Sequence, residues 1–410
     1  MKIQIIYEHK VRELDFLHAL ENELVKCKCR VKLFQINFQL IRFIIDCIWS
    51  KPDIIIVPML KSKRVLSVLA FIQFFNKSVK YIDLHQEQIT CKKNSNLLIP
   101  DNDFTINSVY HFCWGEYFAS RLRQIGVSNE KIFITGNPRN DPNFITKTLI
   151  TKEELAKSYG LDQSKTWILF AENRGWYACQ PRSTVVRILK RLNYSEQEID
   201  AVLVEEKESL RVFEHELLIL SEDLRFRNIE FIYRIHPATD LLISIPNGVH
   251  SISKLSISHW INACDMFITC ESTSIFEADM IGKQCYRHNT LHRDSDLIID
   301  GILDYPEVGE MSNLFDRKFV SQSYRNNQQI YKKYMGDNSI RTVDAYVNAI
   351  LKIHSCNECI RFRPKFSFVY FGYQILFEIV SWVGIKTKLL YKTRIPRVAY
   401  ALKDDIPIQI

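Results

Sequence analysis

The chain has 410 residues, enough for two domains with full cores, and its 47% hydrophobic and 25% charged content is that of a globular protein. Glycine is scarce, at 12 residues, and neither G-x-G-x-x-G nor G-x-x-x-x-G-K-[ST] occurs, which argues against a glycine-cradled dinucleotide or P-loop site. The net charge of +7 is concentrated at one end, with nine Lys/Arg against three Asp/Glu from Arg361 onward, which points away from a general nucleic-acid surface and towards one local basic face.

The first half alternates strand and helix. Ile3–Tyr7 reads as a strand, Arg12–Val25 as a helix, Val31–Phe34 as a strand and Ile36–Trp49 as a helix. Asp53–Pro58 is a buried strand, Lys63–Phe75 a helix and Val79–Leu84 a strand; strand Tyr110–Trp114, helix Glu116–Ile125 and strand Lys131–Thr135 follow. The opening MKIQIIYEHK is a strand and not a secretion signal, so the 11 cysteines are expected to be reduced cytosolic thiols. Cys27/Cys29 and Cys356/Cys359 each lack the second half of a four-ligand zinc site, and neither a metal nor a cofactor is expected.

The turn-rich Gly136–Phe144 is expected to close a domain over residues 1–145. A second domain, 146–310, opens with strand Thr166–Ala171. A long charged helical insert follows over 183–228, with a break at Asn193–Ser195. Strand Glu230–Ile235, an extended piece at Val249–Ile252, helix Ser258–Ala263, strand Met266–Thr269, helix Ile275–Ile281 and strand Cys285–Arg287 complete it. Alternation of this kind argues for an α/β fold with two Rossmann-like domains facing across a cleft, with ligands beyond the carboxyl ends of the strands. Residues 311–360 read as a mostly helical return (Met311–Met335, Ser339–His354).

The last segment, 361–410, contains the apolar and aromatic FSFVYFGYQILFEIVSWVGI (Phe366–Ile385), flanked by Arg361, Arg363 and Lys365 before and by Lys386, Lys388, Lys392, Arg394 and Arg397 after. It approaches the ~20 residues of a membrane span, but Gln374, Glu378 and interfacial aromatics interrupt it. A helix lying in an anionic membrane surface fits better than a span, with a packed C-terminal core helix as the alternative.

Candidate chemistry sits at strand ends. These are Tyr7–Glu8–His9 leading into Arg12–Glu13, the polar run Asp83–Leu84–His85–Gln86–Glu87–Gln88, Glu172–Asn173–Arg174–Gly175–Trp176, and Arg234–Ile235–His236–Pro237. Arg174, Arg234 and His236 are of a type to neutralise a donor phosphate, and Pro237 restricts the backbone of His236. Ser272, Thr273 and Ser274, at the start of a helix, are placed to hold the same group through hydroxyls and free N–H groups, and Glu277 to accept ribose hydroxyls. Glu87, and after it Glu8, are the candidate bases for an acceptor hydroxyl.

WGEYFASRLRQIGV…KIFITGNPRND, the ENRGW segment, RIHP, HWINACDMFITCESTSIFEADMIGKQCY, EHKVRELDFLHAL and KYIDLHQEQI resemble the bacterial surface carbohydrate biosynthesis proteins, which are similar to glycosyltransferases of the two-Rossmann (GT-B) fold. The His-Pro pair and the Ser/Thr cluster are also similar to those of bacterial sialyl-, polysialyl- and Kdo-transferases and of CDP-glycerol polymerases. The resemblance covers about residues 1–300 and implies that His236 and Ser272–Ser274 hold the donor phosphate and that Glu87 is the base. The chain departs from the pattern in CKCRV before the second strand and in the helical insert.

The function expected is metal-independent, inverting transfer of a sugar or polyol-phosphate unit, possibly from a CMP- or CDP-linked donor, to a growing surface polysaccharide. The acceptor is expected to be lipid-linked, at the cytoplasmic face of the inner membrane, and no nucleic-acid partner is expected. A sugar-nucleotide epimerase of the same fold and an inactive membrane-associated scaffold are the alternatives.

Overall fold

The computed structural model describes residues 1–8, 10–138, 149–175, 177–236, 239–288, 298–315, 328–337, 340–356 and 362–386. These divide into two compact units: one of residues 1–88, 96–141 and 332 onward, and one of 89–95 and 142–331.

The first unit is a six-stranded parallel sheet in the order β2-β1-β3-β4-β5-β6, formed by β1 Lys2–Tyr7, β2 Arg30–Gln35, β3 Ile54–Val57, β4 Lys80–Asp83, β5 Val109–Cys113 and β6 Ile132–Ile134. β3 (IIIV) is buried at every position, as a central parallel strand covered on both faces must be. Helices α1 Lys10–Lys26, α2 Leu40–Ser50, α3 Lys63–Phe75, α4 Asp103–Ser108 and α5 Glu116–Gln124 connect the strands. Helix α2 starts at Leu40 and not at the expected Ile36, because the Gln35 side-chain oxygen accepts from the N–H groups of Asn37 and Phe38 and holds that stretch as a turn.

The second unit is another six-stranded parallel sheet, in the order β12-β11-β10-β7-β8-β9. Its elements are α6 Lys152–Tyr159, β7 Thr166–Ala171, α7 Arg182–Arg191, α8 Glu196–Glu222, β8 Ile229–Arg234, β9 Val249–Ser251, α9 Ile257–Ala263, β10 Met266–Thr269, α10 Ser274–Met280, β11 Gln284–His288 and β12 Glu307–Val308. The stretch read as a helical insert is the crossover from β7 to β8. Leu210, Phe213, Leu217 and Leu220 of α8 pack in the same core as Phe170, Phe231 and Tyr233 of the sheet. The break falls between α7 and α8, where Asn193 takes a positive φ of 62° and Ser195 forms a capping box with Glu198.

The expected long helix from Met311 is, among the described residues, a 3₁₀ turn at Met311–Phe315 and α11 at Gln328–Met335. The chain then returns to the first unit with α12 Thr342–Ser355, whose Tyr346 and Ile350 complete the core beneath α1, and α13 Phe368–Lys386, which lies on α2 and α3. The return is clamped by Asn137 N–H donating to Met335 C=O at 2.9 Å. It also requires Gly336, at φ +98°, where an added Cβ would stand 2.5 Å from the Trp114 carbonyl oxygen. Gly336→Ala is expected to cost roughly 2 kcal/mol or more of folding stability; an unchanged denaturation midpoint would show that the return segment is not clamped there.

Candidate functional site

In the second unit, β10, β7 and β8 are adjacent and parallel, so the loops that leave their carboxyl ends emerge on one edge. Those loops carry Ser272–Ser274, Glu172–Gly175 and His236. A direct hydrogen bond joins two of them: Glu271 N–H donates to Asn173 Oδ1 at 3.1 Å. Thr269 Oγ1 adds a second tie, donating to Ala171 C=O at 2.8 Å and accepting from Ser272 N–H at 3.0 Å.

The loop after β7 is braced from below. Arg174 donates through Nε and Nη2 to the two oxygens of Glu172, at 2.8 and 2.6 Å, and through Nη1 to Ser209 Oγ at 2.7 Å. Both residues are buried. Burial would raise the Glu172 carboxyl, but the charge and hydrogen bonds of Arg174 outweigh it and hold the group below its usual range. Arg174 is therefore committed to the loop's own architecture. Glu206 of α8, not singled out from sequence, turns its carboxylate into the same loop and accepts from the N–H groups of Gly175 and Ala178, each at 2.8 Å. The backbone N–H groups that an external anion would use are thus occupied by an internal one. Only the helical spacing of α8 could have hinted at this, because Glu206 lies on its buried face.

Arg234 is different. It is 6% exposed, and its guanidinium donates to the carbonyls of Lys254 (2.8 Å) and Leu255. Among the described residues it forms no ion pair, and burial pulls its pKa down to about 10. Among the described residues its acceptors are carbonyl groups, which leave the positive charge itself without a counter-ion there.

His236 is half-buried, and its backbone carbonyl accepts from Thr239 N–H at 2.9 Å. Pro237 and Trp176 lie outside the described residues.

At α10 the expectation of free first-turn N–H groups needs correction. Ser274 N–H donates to Ser272 Oγ, and Ile275 and Phe276 N–H donate to the carbonyls of Ser272 and Thr273. What the turn offers is hydroxyls: Ser272 Oγ donates to Ser274 Oγ at 3.1 Å, and Thr273 forms no side-chain cap. Glu277 is buried and accepts from Ser258 Oγ at 3.5 Å, a long contact.

In the first unit the polar run after β4 splits. Asp83 and His85 turn into the core, and Gln86 and Glu87 stay half-buried. Asp83 accepts from Leu60 and His85 N–H at 2.8 and 3.0 Å. His85 Nε2 meets His111 Nδ1 at 2.7 Å, and His111 Nε2 meets Thr105 C=O at 2.9 Å. Since a carbonyl only accepts, the protons are assigned to both Nε2 atoms. That leaves His85 Nδ1 without a hydrogen-bond partner among the described residues, 3.7 Å from Asp83 Oδ1. The donor atoms of the three residues lie within 4.8 Å of one another, but a metal ion would have to break the short imidazole pair to gain its ligands.

Glu8 is half-buried, and its N–H donates to Glu13 Oε2 at 3.0 Å. Glu13 is buried and lines a shallow open depression with Phe16, Leu84, Gln86 and Trp114. His9 and the Arg12 side chain lie outside the described residues.

The sequence matches no family model and no curated protein. Solved structures do match. The fold is of the GT-B type, with two Rossmann-like domains. The S. aureus MnaA–UDP co-structure superposes with a TM-score of 0.53 at 14% identity, over 89% of this chain and 99% of that one. The UDP-GlcNAc 2-epimerase of Methanocaldococcus jannaschii in complex with UDP-GlcNAc and UDP gives 0.51 at 14% identity, over 86% of this chain and all (100%) of that one. A structure of the wall teichoic acid polymerase TagF soaked with CDPG gives 0.53 at 13%, over 86% of this chain and 88% of that one. At these identities the likeness is one of fold.

The buried imidazoles set a pH dependence. Desolvation lowers the pKa of both His85 and His111 to about 3, so the unfolded chain takes up their protons first and stability is lost as pH falls below about 6.5. Asp83, raised by burial to about 6, acts oppositely between about 3.9 and 6. With two imidazoles against one carboxyl, stability should decline from pH 6 to pH 4. In His111→Gln the slope should shrink by up to about 1.4 kcal/mol per pH unit, as read by urea denaturation. An unchanged slope would mean that the native rings titrate normally.

Proposed function

We propose that the protein is a glycosyltransferase that moves a sugar or polyol-phosphate unit from a nucleotide-activated donor to a growing bacterial surface polysaccharide. The observation that carries the reading is Arg234, a buried cation with no ion pair among the described residues, at the end of the strand that leads to His236. Ser272–Ser274 leave the same sheet edge two strands away, and the GT-B fold supports the same class of chemistry.

In the proposed reaction the acceptor hydroxyl gives its proton to Glu87, or to Glu8 as second candidate, and its oxygen bonds to the donor's transferred carbon or phosphorus. The bond to the nucleotide phosphate breaks, and the charge released is received by Arg234, His236 and the hydroxyls of Ser272, Thr273 and Ser274. Glu277 accepts ribose hydroxyls, Arg174 positions the loop after β7, and inversion follows from a single displacement. No metal is needed in this scheme, because the arginine, the histidine and the hydroxyls neutralise the phosphate. The acceptor is lipid-linked, and the protein works at the cytoplasmic face of the inner membrane.

Titration with CMP, CDP, UDP and GDP, read by thermal shift, should raise the melting midpoint for at least one of them. His236→Ala should abolish glycan extension while leaving the fold intact, and wild-type extension in that variant would sink the site assignment. Activity should persist in EDTA; its loss and recovery with a divalent cation would overturn metal independence. Glu87→Gln, Glu8→Gln and Glu13→Gln, compared at saturating donor, should rank the bases, with a loss of about 10²-fold or more for the true one.

The likeness to the UDP-GlcNAc 2-epimerase of Methanocaldococcus jannaschii favours a second reading on the same site, isomerisation of a free nucleotide-sugar. Product formed without any acceptor would establish it in place of transfer. A flat response to all four nucleotides would instead favour a scaffold without catalysis.

A further inference from the structure

Helix α13 packs in the reverse sense for a core helix. Its polar residues face inward: Gln374, Glu378 and Ser381 are 7%, 6% and 2% exposed. Glu378 Oε2 accepts from Ile41 N–H at 2.8 Å, so its carboxylate caps the first turn of α2, where the helix dipole favours negative charge. Phe371 and Ile375 pack against the core under α2 and α3, and the Arg64 guanidinium stands 4.1 Å from the centre of the Tyr373 ring.

The opposite face is apolar and open. Phe368, Val369, Leu376 and Val380 are 83%, 76%, 59% and 56% exposed. The surface continues ring by ring onto α3, from Phe366 to Phe71 (6.1 Å), to Phe75 (5.3 Å) and to Phe74 (5.4 Å), and Phe74 is 78% exposed. A contiguous apolar face of this kind marks an interaction site.

Charge identifies what covers it. Glu378 is the only acidic residue between positions 362 and 386, and it is buried against α2. Arg363 and Lys365, just before the helix, are exposed, and the sequence after Lys386 adds Lys388, Lys392, Arg394 and Arg397. Cations flanking an aromatic face match anionic headgroups above an acyl layer, whereas a second copy of the chain would bring the same cations together. Among the described residues no helix is long and apolar enough to cross a membrane, and a crossing would carry Gln374 and Glu378 into acyl chains.

We propose that the outer face of α13, together with Phe74 and Phe75, docks the first unit onto an anionic lipid bilayer, with the helix in the plane of the surface and its orientation held by the Glu378 cap on α2. This deepens the membrane part of the function proposed above and rests on it, by naming the surface and the lipid chemistry.

The test is flotation of the full-length chain with vesicles of phosphatidylglycerol and phosphatidylethanolamine, and with vesicles of phosphatidylcholine alone. The protein should float with the anionic vesicles, and about tenfold less with the neutral ones or in the double variant Leu376→Glu, Val380→Glu. The variant should keep the wild-type nucleotide thermal shift, or the wild-type lack of one, so that failure of docking and failure of the transferase reading are distinguishable. A second measurement needs no surface variant: brominated acyl chains in the anionic vesicles should quench wild-type tryptophan fluorescence, and Trp382→Phe should reduce the quenching. Equal flotation of the double variant, or no quenching, overturns the proposal. So does a lipid-free dimer, seen by light scattering, that the double substitution dissolves, since that would assign the face to a second copy.

Discussion

In a sheet whose strands all run one way, every strand-to-helix transition falls on the same edge, and the polar residues that end the strands accumulate there. Desolvation makes each of them expensive unless something inside or outside the protein answers it. The second unit answers most internally. Glu172 is matched by Arg174, the N–H groups of the loop after β7 by Glu206, and the first turn of α10 by Ser272. Among the described residues Arg234 is answered by carbonyl oxygens and by no carboxylate. Internal pairing thus separates Arg234 from the other buried charged groups of this edge.

The same accounting explains the first unit. Asp83 and His85 end a buried strand just as Gln86 and Glu87 do, yet the former pair is drawn inward by Leu60 N–H and by His111 on the neighbouring strand. A positive φ of 45° at His85 turns the chain sharply enough to bury that ring. Polar residues two positions apart thus take different settings, His85 buried in the core and Glu87 half-buried at its edge.

Helix α13 shows the principle at the surface. A carboxylate in an apolar helix would ordinarily seek water; burial raises the Glu378 carboxyl above its usual range, and the backbone N–H groups of Ile41 and Leu40 at the start of α2 offset part of that cost. Securing Glu378 there obliges the aromatic residues on the other side to face outward.

What the sequence by itself determined is what local periodicity controls. Thr166–Ala171, Met266–Thr269 and Lys63–Phe75 are strand, strand and helix over the very ranges that residue spacing predicts, and the break after α7 falls at Asn193–Ser195, where turn and capping residues stand together. The alternation of these elements was enough for the α/β class with two parallel sheets. Tertiary structure decided which strand-end residues are engaged inside. It also made the apparent insert a crossover, occupied the first-turn N–H groups of α10, and set which face of α13 turns inward. The physical reason is distance along the chain. Glu206 meets Gly175 across 31 residues and Glu378 meets Ile41 across 337, and no window short enough to show a helical or strand period contains both partners.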